Sequence, residues 1–371
     1  MDDTDVKAVV EVLRSEWLTT GPLVDAFEQA IADFVGTRYA VAVSSGTAAL
    51  HASLHAVEIG PGDEVIVPPI TFVATANAVV FQGATPVFAD VNPNTLLLDP
   101  LAVAKKITAR TKAIVAVDYG GQPCDYDALR QIAEIHHLAL LADSCHALGA
   151  TWKNRNVGTL GDLSVFSFHP VKHITTAEGG MITTNDSLLA QRMRAFRNHG
   201  ISADHRQRSE MGSWFYEMVD LGYNYRLSDL QCALGISQLR KLPQWLLRRQ
   251  EIAAHYSRAF QEVPEIRPLA VEVGVSHAFH LFVVQLQFGD EQRNRSTVFR
   301  SLRAAGIGAN VHYIPVHLHP YYRQRFATGP GLCPIAEAAY ERILSLPIFP
   351  AMSDDDTDYV IETLKKIVSG D

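Results

Sequence analysis

Apolar and polar residues alternate along this chain in two successive rhythms. Val6, Val9, Val10 and Leu13 recur at spacings of three and four, which predicts a helix over 5–16 with one apolar face. The run Trp17-Leu18-Thr19-Thr20-Gly21-Pro22 breaks it, and a second helix is predicted over 23–34. The rhythm then shortens. β-rich apolar runs at 39–43, 64–67, 85–89, 111–117 and 138–142 alternate with helical stretches at 48–57, 74–81 and 125–136. Strands that are almost continuously apolar and separated by helices predict a mostly parallel sheet covered on both faces.

Beyond Asp162 two strand-like runs, 164–168 and 180–184, have little helix between them, which predicts an antiparallel pair. A long helical region follows Arg226 and continues through Gln238 to Phe260, with Pro243 expected to kink it. A β-rich stretch at 280–288, a helix, a strand-like run at 310–314, a Gly329-Pro330 loop and a final helix over 356–368 complete an α+β pattern. At 371 residues the chain exceeds what one hydrophobic core usually holds. The expected fold class is therefore α/β, with a large mostly parallel sheet domain over 1–240, opened by the helical segment, and a smaller α+β domain over 241–371.

Composition narrows the function. The chain is 47% hydrophobic and 19% charged, as a globular protein is, and its net charge of -8 comes with no basic stripe for nucleic acid. No apolar run reaches membrane-spanning length, and the acidic start Met1-Asp2-Asp3-Thr4-Asp5 lacks the features of a signal peptide. Neither a nucleic-acid nor a membrane partner is expected. The four cysteines, Cys124, Cys145, Cys232 and Cys333, are scattered, which suits a reducing cytoplasm. His312, His317 and His319 alternate with apolar residues and show no carboxylate partner in the sequence, so no metal site is expected.

Open α/β sheets bind ligands at the carboxyl ends of their strands, and three features fall there. Ser44-Ser45-Gly46-Thr47 leaves a strand and opens a helix; it reads either as an ordinary cap or as a cup of N–H and hydroxyl donors for a phosphate. Asp143 ends the run 138–142, where a carboxylate needs a partner: either a turn, or a pyridinium nitrogen that it keeps protonated. His146, three residues on, can support it; a Ser144–His146 hydrolase pair is not favoured, because no G-x-S-x-G elbow surrounds it. Of the nine lysines, only Lys172 follows a strand and precedes a run of small residues, 174–180. A desolvated lysine in that setting is a nucleophile toward aldehydes; otherwise it is a loop lysine.

On these segments, and on 17–22, 68–77, 118–121, 197–200, 222–239 and 311–315, the chain resembles fold type I (aspartate aminotransferase-like) pyridoxal-phosphate (PLP) transferases over nearly its whole length. Within that class it resembles the DegT/DnrJ/EryC/StrS sugar-nucleotide aminotransferases. Segments 143–150, 167–180 and 310–315 are most similar to members that make UDP-4-amino-4,6-dideoxy-N-acetyl-β-L-altrosamine for pseudaminic acid synthesis. The resemblance implies an enzyme that transfers an amino group from glutamate to C4 of a UDP-linked 4-keto-6-deoxy sugar. It implies that Lys172 carries the cofactor and shuttles a proton between it and C4, and that Asp143 pairs with the pyridine nitrogen. Gly46, Thr47 and Ser167 are then expected to hold the phosphate, with Phe72 stacked on the ring and His146 nearby. Asn224 is expected to reach the phosphate or substrate of a neighbouring subunit, which implies a homodimer with shared active sites. Trp17, Leu18, Thr19, His312, Tyr313, Ile314 and Pro315 are expected to contact substrate. From the residues alone, Phe72 reads as core rather than as a ring contact, and Asn224 reads equally as a structural cap. The resemblance further implies a longer segment ahead of the first helix in relatives. The alternatives are a 4-aminotransferase for another nucleotide sugar such as GDP-4-keto-6-deoxymannose, a sugar dehydratase, against which the presence of Lys172 counts, and a non-catalytic PLP-binding protein.

Overall fold

The computed structural model describes residues 1–203, 206, 208, 212–288 and 294–370. Helices α1 (Asp3–Leu13) and α2 (Pro22–Val35) lead into β1 (Tyr39–Val43) and α3 (Gly46–Ala56). Then follow β2 (Glu64–Val67), α4 (Ala74–Phe81), β3 (Thr85–Phe88), α5 (Pro100–Ala104), β4 (Thr111–Val117), α6 (Tyr126–His136) and β5 (Ala139–Asp143). Two short strands, β6 (Thr151–Trp152) and β7 (Arg155–Asn156), precede β8 (Leu163–Ser167), β9 (Gly180–Thr184) and α7 (Ser187–Phe196). The seven long strands form one sheet in the order β1-β9-β8-β5-β4-β2-β3. Every neighbouring pair from β8 to β3 is parallel, and β9 alone runs against both β8 and β1. Helices on both faces bury β2 and β9 completely, which is why the strands read as unbroken apolar runs.

Because β9 is antiparallel, its first residue lies where β1 and β8 end: Gly180 pairs with both Val43 and Ser167. A Cβ on Gly180 would press on the Ser45 carbonyl and come within 2.9 Å of the Gly46 nitrogen, so glycine lets this edge close up. A three-stranded antiparallel sheet, ordered β10 (Ile266–Pro268), β12 (Phe282–Leu286), β13 (Ile343–Leu346), lies in the C-terminal part, while β11 (Val275–Ser276) pairs back onto β6. This part has its own core around Tyr256, Phe260, Val284, Leu302, Leu344 and Leu364. Val316, Tyr322, Cys333 and Ile343 pack instead into the core of the large sheet.

Three local expectations change. The apolar face of α1 is not the one the chain buries: Val6 and Leu13 are exposed, while Asp5 and Val12 are buried. The helix docks through charge instead, with Asp5 accepting from Ser237 (2.7 Å) and Gln238 (2.7 Å) and pairing with Lys241 (2.8 Å). The region 226–260 is two helices, Asp229–Leu239 and Leu242–Phe260, rather than one kinked helix. Pro243 stands in the first turn of the second, where its missing N–H would have had no helical partner. The run 310–314 is not a strand; only Asn310 bridges to Ser345. The segment beyond Asn310 swings toward the large sheet, and Val316 donates to the Pro69 carbonyl (2.8 Å).

Candidate active site

At the carboxyl edge of the large sheet, strand ends surround a cavity of about 400 Å³. Its walls include Ser45, Gly46 and Thr47 after β1, Thr71, Phe72 and Thr75 after β2, Asp143, Cys145 and His146 at β5, and Ser167, His169 and Lys172 after β8. His312 and Tyr313 close it from the C-terminal part.

The helix start comes first in the chain. Ser45 caps α3, its hydroxyl accepting from the Ala48 N–H (3.0 Å). That leaves the N–H groups of the first turn directed at the cavity, with the positive end of the helix dipole behind them. A Cβ on Gly46 would lie 3.0 Å from the Ser167 Cβ and 3.2 Å from the Cys145 sulfur, so the absence of a side chain lets α3 approach both strand ends.

Asp143 is buried at the end of β5. Its Oδ2 accepts from the Thr75 hydroxyl (2.7 Å), and its Oδ1 accepts a longer bond from the Cys145 N–H (3.3 Å). Directly behind stands Asp118, whose Oδ2 accepts from Ser144 (2.6 Å) and whose Oδ1 accepts from Tyr126 (2.8 Å) and the Cys124 N–H (3.0 Å). Burial still pushes the Asp118 carboxyl up to about 7. The two carboxylates are tied into one turn through Ser144.

Lys172 sits on a loop held by its own backbone: Lys172 N–H donates to the His169 carbonyl (2.9 Å), Thr176 to Phe168 (3.0 Å) and Phe168 to Gly179 (2.9 Å). Burial drives the Lys172 ammonium below the ordinary lysine range, outweighing the opposite pull of Cys145 and Asp143. The loop therefore presents an amine that loses its proton readily. His146 is buried and kept neutral by desolvation, well below the ordinary imidazole value. Its Nε2 lies 3.3 Å from the Tyr313 hydroxyl, its Nδ1 has no hydrogen-bond partner among the described residues, and its ring stands 4.3 Å from that of His280. His312 is pinned by Tyr119, whose hydroxyl donates to its carbonyl, and by Ser345 Oγ at 2.9 Å from its Nδ1.

The structure thus brings together Gly46, Thr47, Phe72, Asp143, His146, Ser167, Lys172, His312 and Tyr313. Phe72 is 57% exposed and so is not core; its ring stands 6.1 Å from that of Tyr313. The remaining expected residues lie elsewhere. Trp17 lines a separate cleft between α1 and the helix Asp229–Leu239. The Leu18 carbonyl accepts from Asp229 (3.1 Å), and Thr19 bridges to Ser228. Ile314 is exposed and Pro315 accepts from the Leu318 N–H (2.9 Å); neither lines the cavity. Asn224 is exposed, bridges to Asn198 and lies outside the cavity of its own chain. His317 does have a carboxylate partner, contrary to the sequence reading: Glu337 Oε1 lies 2.8 Å from its Nε2. Thr71, Thr75 and Cys145 are wall residues that the sequence reading did not select. The spacing of four between the two threonines at a helix start was the available signal.

These groups fit a phosphorylated pyridine aldehyde. A helix start with hydroxyl donors suits the phosphate, a buried carboxylate suits the ring nitrogen, and a desolvated amine suits the aldehyde carbon. Comparison with known proteins agrees. Residues 1–365 match the profile of the DegT/DnrJ/EryC1/StrS aminotransferase family. The chain is 46% identical over 368 residues to the spore coat polysaccharide biosynthesis protein SpsC of Bacillus subtilis (strain 168), covering 99% of this chain and 95% of that protein. In structure it is similar to a putative sugar aminotransferase, Spr1654 from Streptococcus pneumoniae in its PMP form, with a TM-score of 0.94 and 33% identity over 100% of this chain and 98% of that one. It is also similar to Helicobacter pylori PseC, an aminotransferase involved in the biosynthesis of pseudoaminic acid, with a TM-score of 0.93 and 37% identity over 100% and 98%.

Proposed function

The chain belongs to the DegT/DnrJ/EryC1/StrS aminotransferase family and is a PLP-dependent sugar aminotransferase, and on that premise we propose that it transfers an amino group from glutamate to C4 of a UDP-4-keto-6-deoxyhexosamine. The product of that reaction is UDP-4-amino-4,6-dideoxy-N-acetyl-β-L-altrosamine, a pseudaminic acid precursor. The observation that carries the reading is the convergence of Lys172, Asp143 and the start of α3 on one cavity. The likeness to PseC supports the choice of sugar.

When bound, PLP supplies an aldehyde that takes up the amino group and a ring that delocalises the electron pair released at carbon. The chain's own residues do the rest. The start of α3, with Thr47 and Ser167, holds the phosphate. Asp143 holds a proton on the ring nitrogen, and its burial strengthens that pairing. Lys172, readily deprotonated, takes a proton from the donor's α-carbon and returns one to the sugar C4. Phe72 and His146 line the cavity where the ring would lie.

Asn224 serves a second subunit's site in a homodimer. The exposure of Trp214 (85%), Met218 (67%) and Leu221 (68%), in the stretch that leads to it, supports a partner surface there. The four free, scattered cysteines support a cytoplasmic setting; among the described residues no helix is long and apolar enough to cross a membrane. A second reading, amination of a different nucleotide sugar for a surface polysaccharide, is favoured by the likeness to SpsC. A mass-detected assay of UDP- and GDP-linked 4-keto-6-deoxy sugars with glutamate separates them. Turnover of the UDP-hexosamine with release of 2-oxoglutarate is expected; turnover of the GDP sugar alone would overturn the assignment.

A further inference from the structure

The mechanism above uses Asp143 but leaves open what holds it in place. The turn that follows it contributes little: the Cys145 N–H reaches Oδ1 only at 3.3 Å. The firm contact comes from across the end of β4. Thr75, in the first turn of α4, places its hydroxyl 2.7 Å from Asp143 Oδ2, and Thr71, four residues earlier, places its own hydroxyl 2.7 Å from that of Thr75. Both threonines are buried, at 1% and 2% exposure, so water does not substitute for either contact.

The direction of this chain follows from its last member. An ionised carboxylate only accepts, so Thr75 donates to Asp143 and its lone pairs remain open to Thr71, which donates in turn. The chain Thr71→Thr75→Asp143 thus fixes one of the carboxylate's two oxygens. Oδ1, the oxygen with the long bond, is the one left for a ligand.

We propose that Thr75, backed by Thr71, is a positioning residue. It aims the Asp143 carboxylate at the cofactor's ring nitrogen and, by hydrogen-bonding the charged form, keeps the shared proton on that nitrogen. This rests on the role given above to Asp143. Loss of the Thr75 hydroxyl returns the proton toward Asp143 and weakens the ring as an electron sink, without touching sugar recognition.

The test compares holoenzyme of the wild type, Thr75→Val, Thr75→Ser and Asp143→Asn, each loaded with PLP labelled with ¹⁵N in the ring. In Thr75→Val the ring-nitrogen resonance is expected to move toward the unprotonated position, with kcat down about tenfold and KM for the keto sugar changed less than about twofold. Thr75→Ser, which keeps the hydroxyl, is expected to restore both signals. A Thr75→Val resonance and kcat matching the wild type, while Asp143→Asn shifts the resonance and abolishes turnover, overturns the role of Thr75 alone. A resonance unchanged in Asp143→Asn overturns the Asp143 assignment on which it rests. A shift in Thr75→Val that Thr75→Ser fails to rescue reports packing rather than the hydrogen bond and also overturns the proposal.

Discussion

Acidification is expected to unfold this protein through its buried histidines. His51, His146, His173 and His280 are all buried. Desolvation lowers His51 to about 4 and His173 to about 3, and carries His146 and His280 well below the ordinary value of 6.5; the half-buried His277 and His312 fall likewise, to about 3 and about 4. A lowered imidazole leaves the folded state unpenalised above 6.5; as pH falls below that value the unfolded chain takes up protons that the folded chain refuses. At pH 5 each such group lowers stability by about 2 kcal/mol, whatever the full depth of its shift, and six together by about 12 kcal/mol. Asp118 acts the other way. Raised to about 7, it keeps its proton in the folded chain while the unfolded carboxyl loses it, which returns about 2–3 kcal/mol at pH 5. The net loss of about 9 kcal/mol between pH 7.5 and 5 is comparable to the whole stability of many domains. Carboxylates with lowered values contribute only below this window. Urea unfolding of the holoenzyme at pH 7.5, 6 and 5 measures the loss directly, and the slope near pH 5 is expected to report a net uptake of about five protons on unfolding. Asp118→Asn removes the opposing group and raises that uptake by one. A stability at pH 5 within about 1 kcal/mol of that at pH 7.5, or an uptake below one proton, would refute the reasoning.

Two substitutions probe the cavity. Lys172→Ala is expected to abolish covalent capture of PLP, so that borohydride treatment followed by peptide mass mapping finds no coenzyme on the chain, and to cut turnover by at least about a hundredfold. Gly180→Ala drives a methyl group against the Ser45 carbonyl and the Gly46 nitrogen at the start of α3. It is expected to cost about 1–3 kcal/mol in urea unfolding and to weaken PLP binding, measured by equilibrium dialysis.

The large sheet was legible because its strands are buried on both faces, so hydrophobicity alone marks them. The same rule located α1 but misread its buried face. Its apolar stripe is real in the sequence, but an ion pair to Lys241 and hydrogen bonds to Ser237 and Gln238 decide which face this chain covers. Hydrophobic periodicity also reads the run 310–314 as a strand. Those residues bridge two parts of the molecule instead, with Val316 bonded to Pro69 and Tyr119 bonded to His312. No local pattern encodes a partner nearly two hundred residues away.

The candidate site divides in the same way. Lys172, Asp143 and Gly46 could be picked out one by one, because each stands at the end of a strand and its chemistry depends on its own type and setting. By itself the sequence determined the α/β class, the strand-end positions and the kinds of groups they carry. Only the tertiary structure decided that β9 reverses direction and presses Gly180 onto the turn after β1, that Thr71 and Thr75 reach past β4 to Asp143, and that Trp17, Leu18, Thr19 and Asn224 stay outside the cavity of their own chain. The physical reason is range. Backbone periodicity is a property of neighbours along the chain, whereas a hydrogen bond or a desolvated charge depends on what the folded chain packs around it.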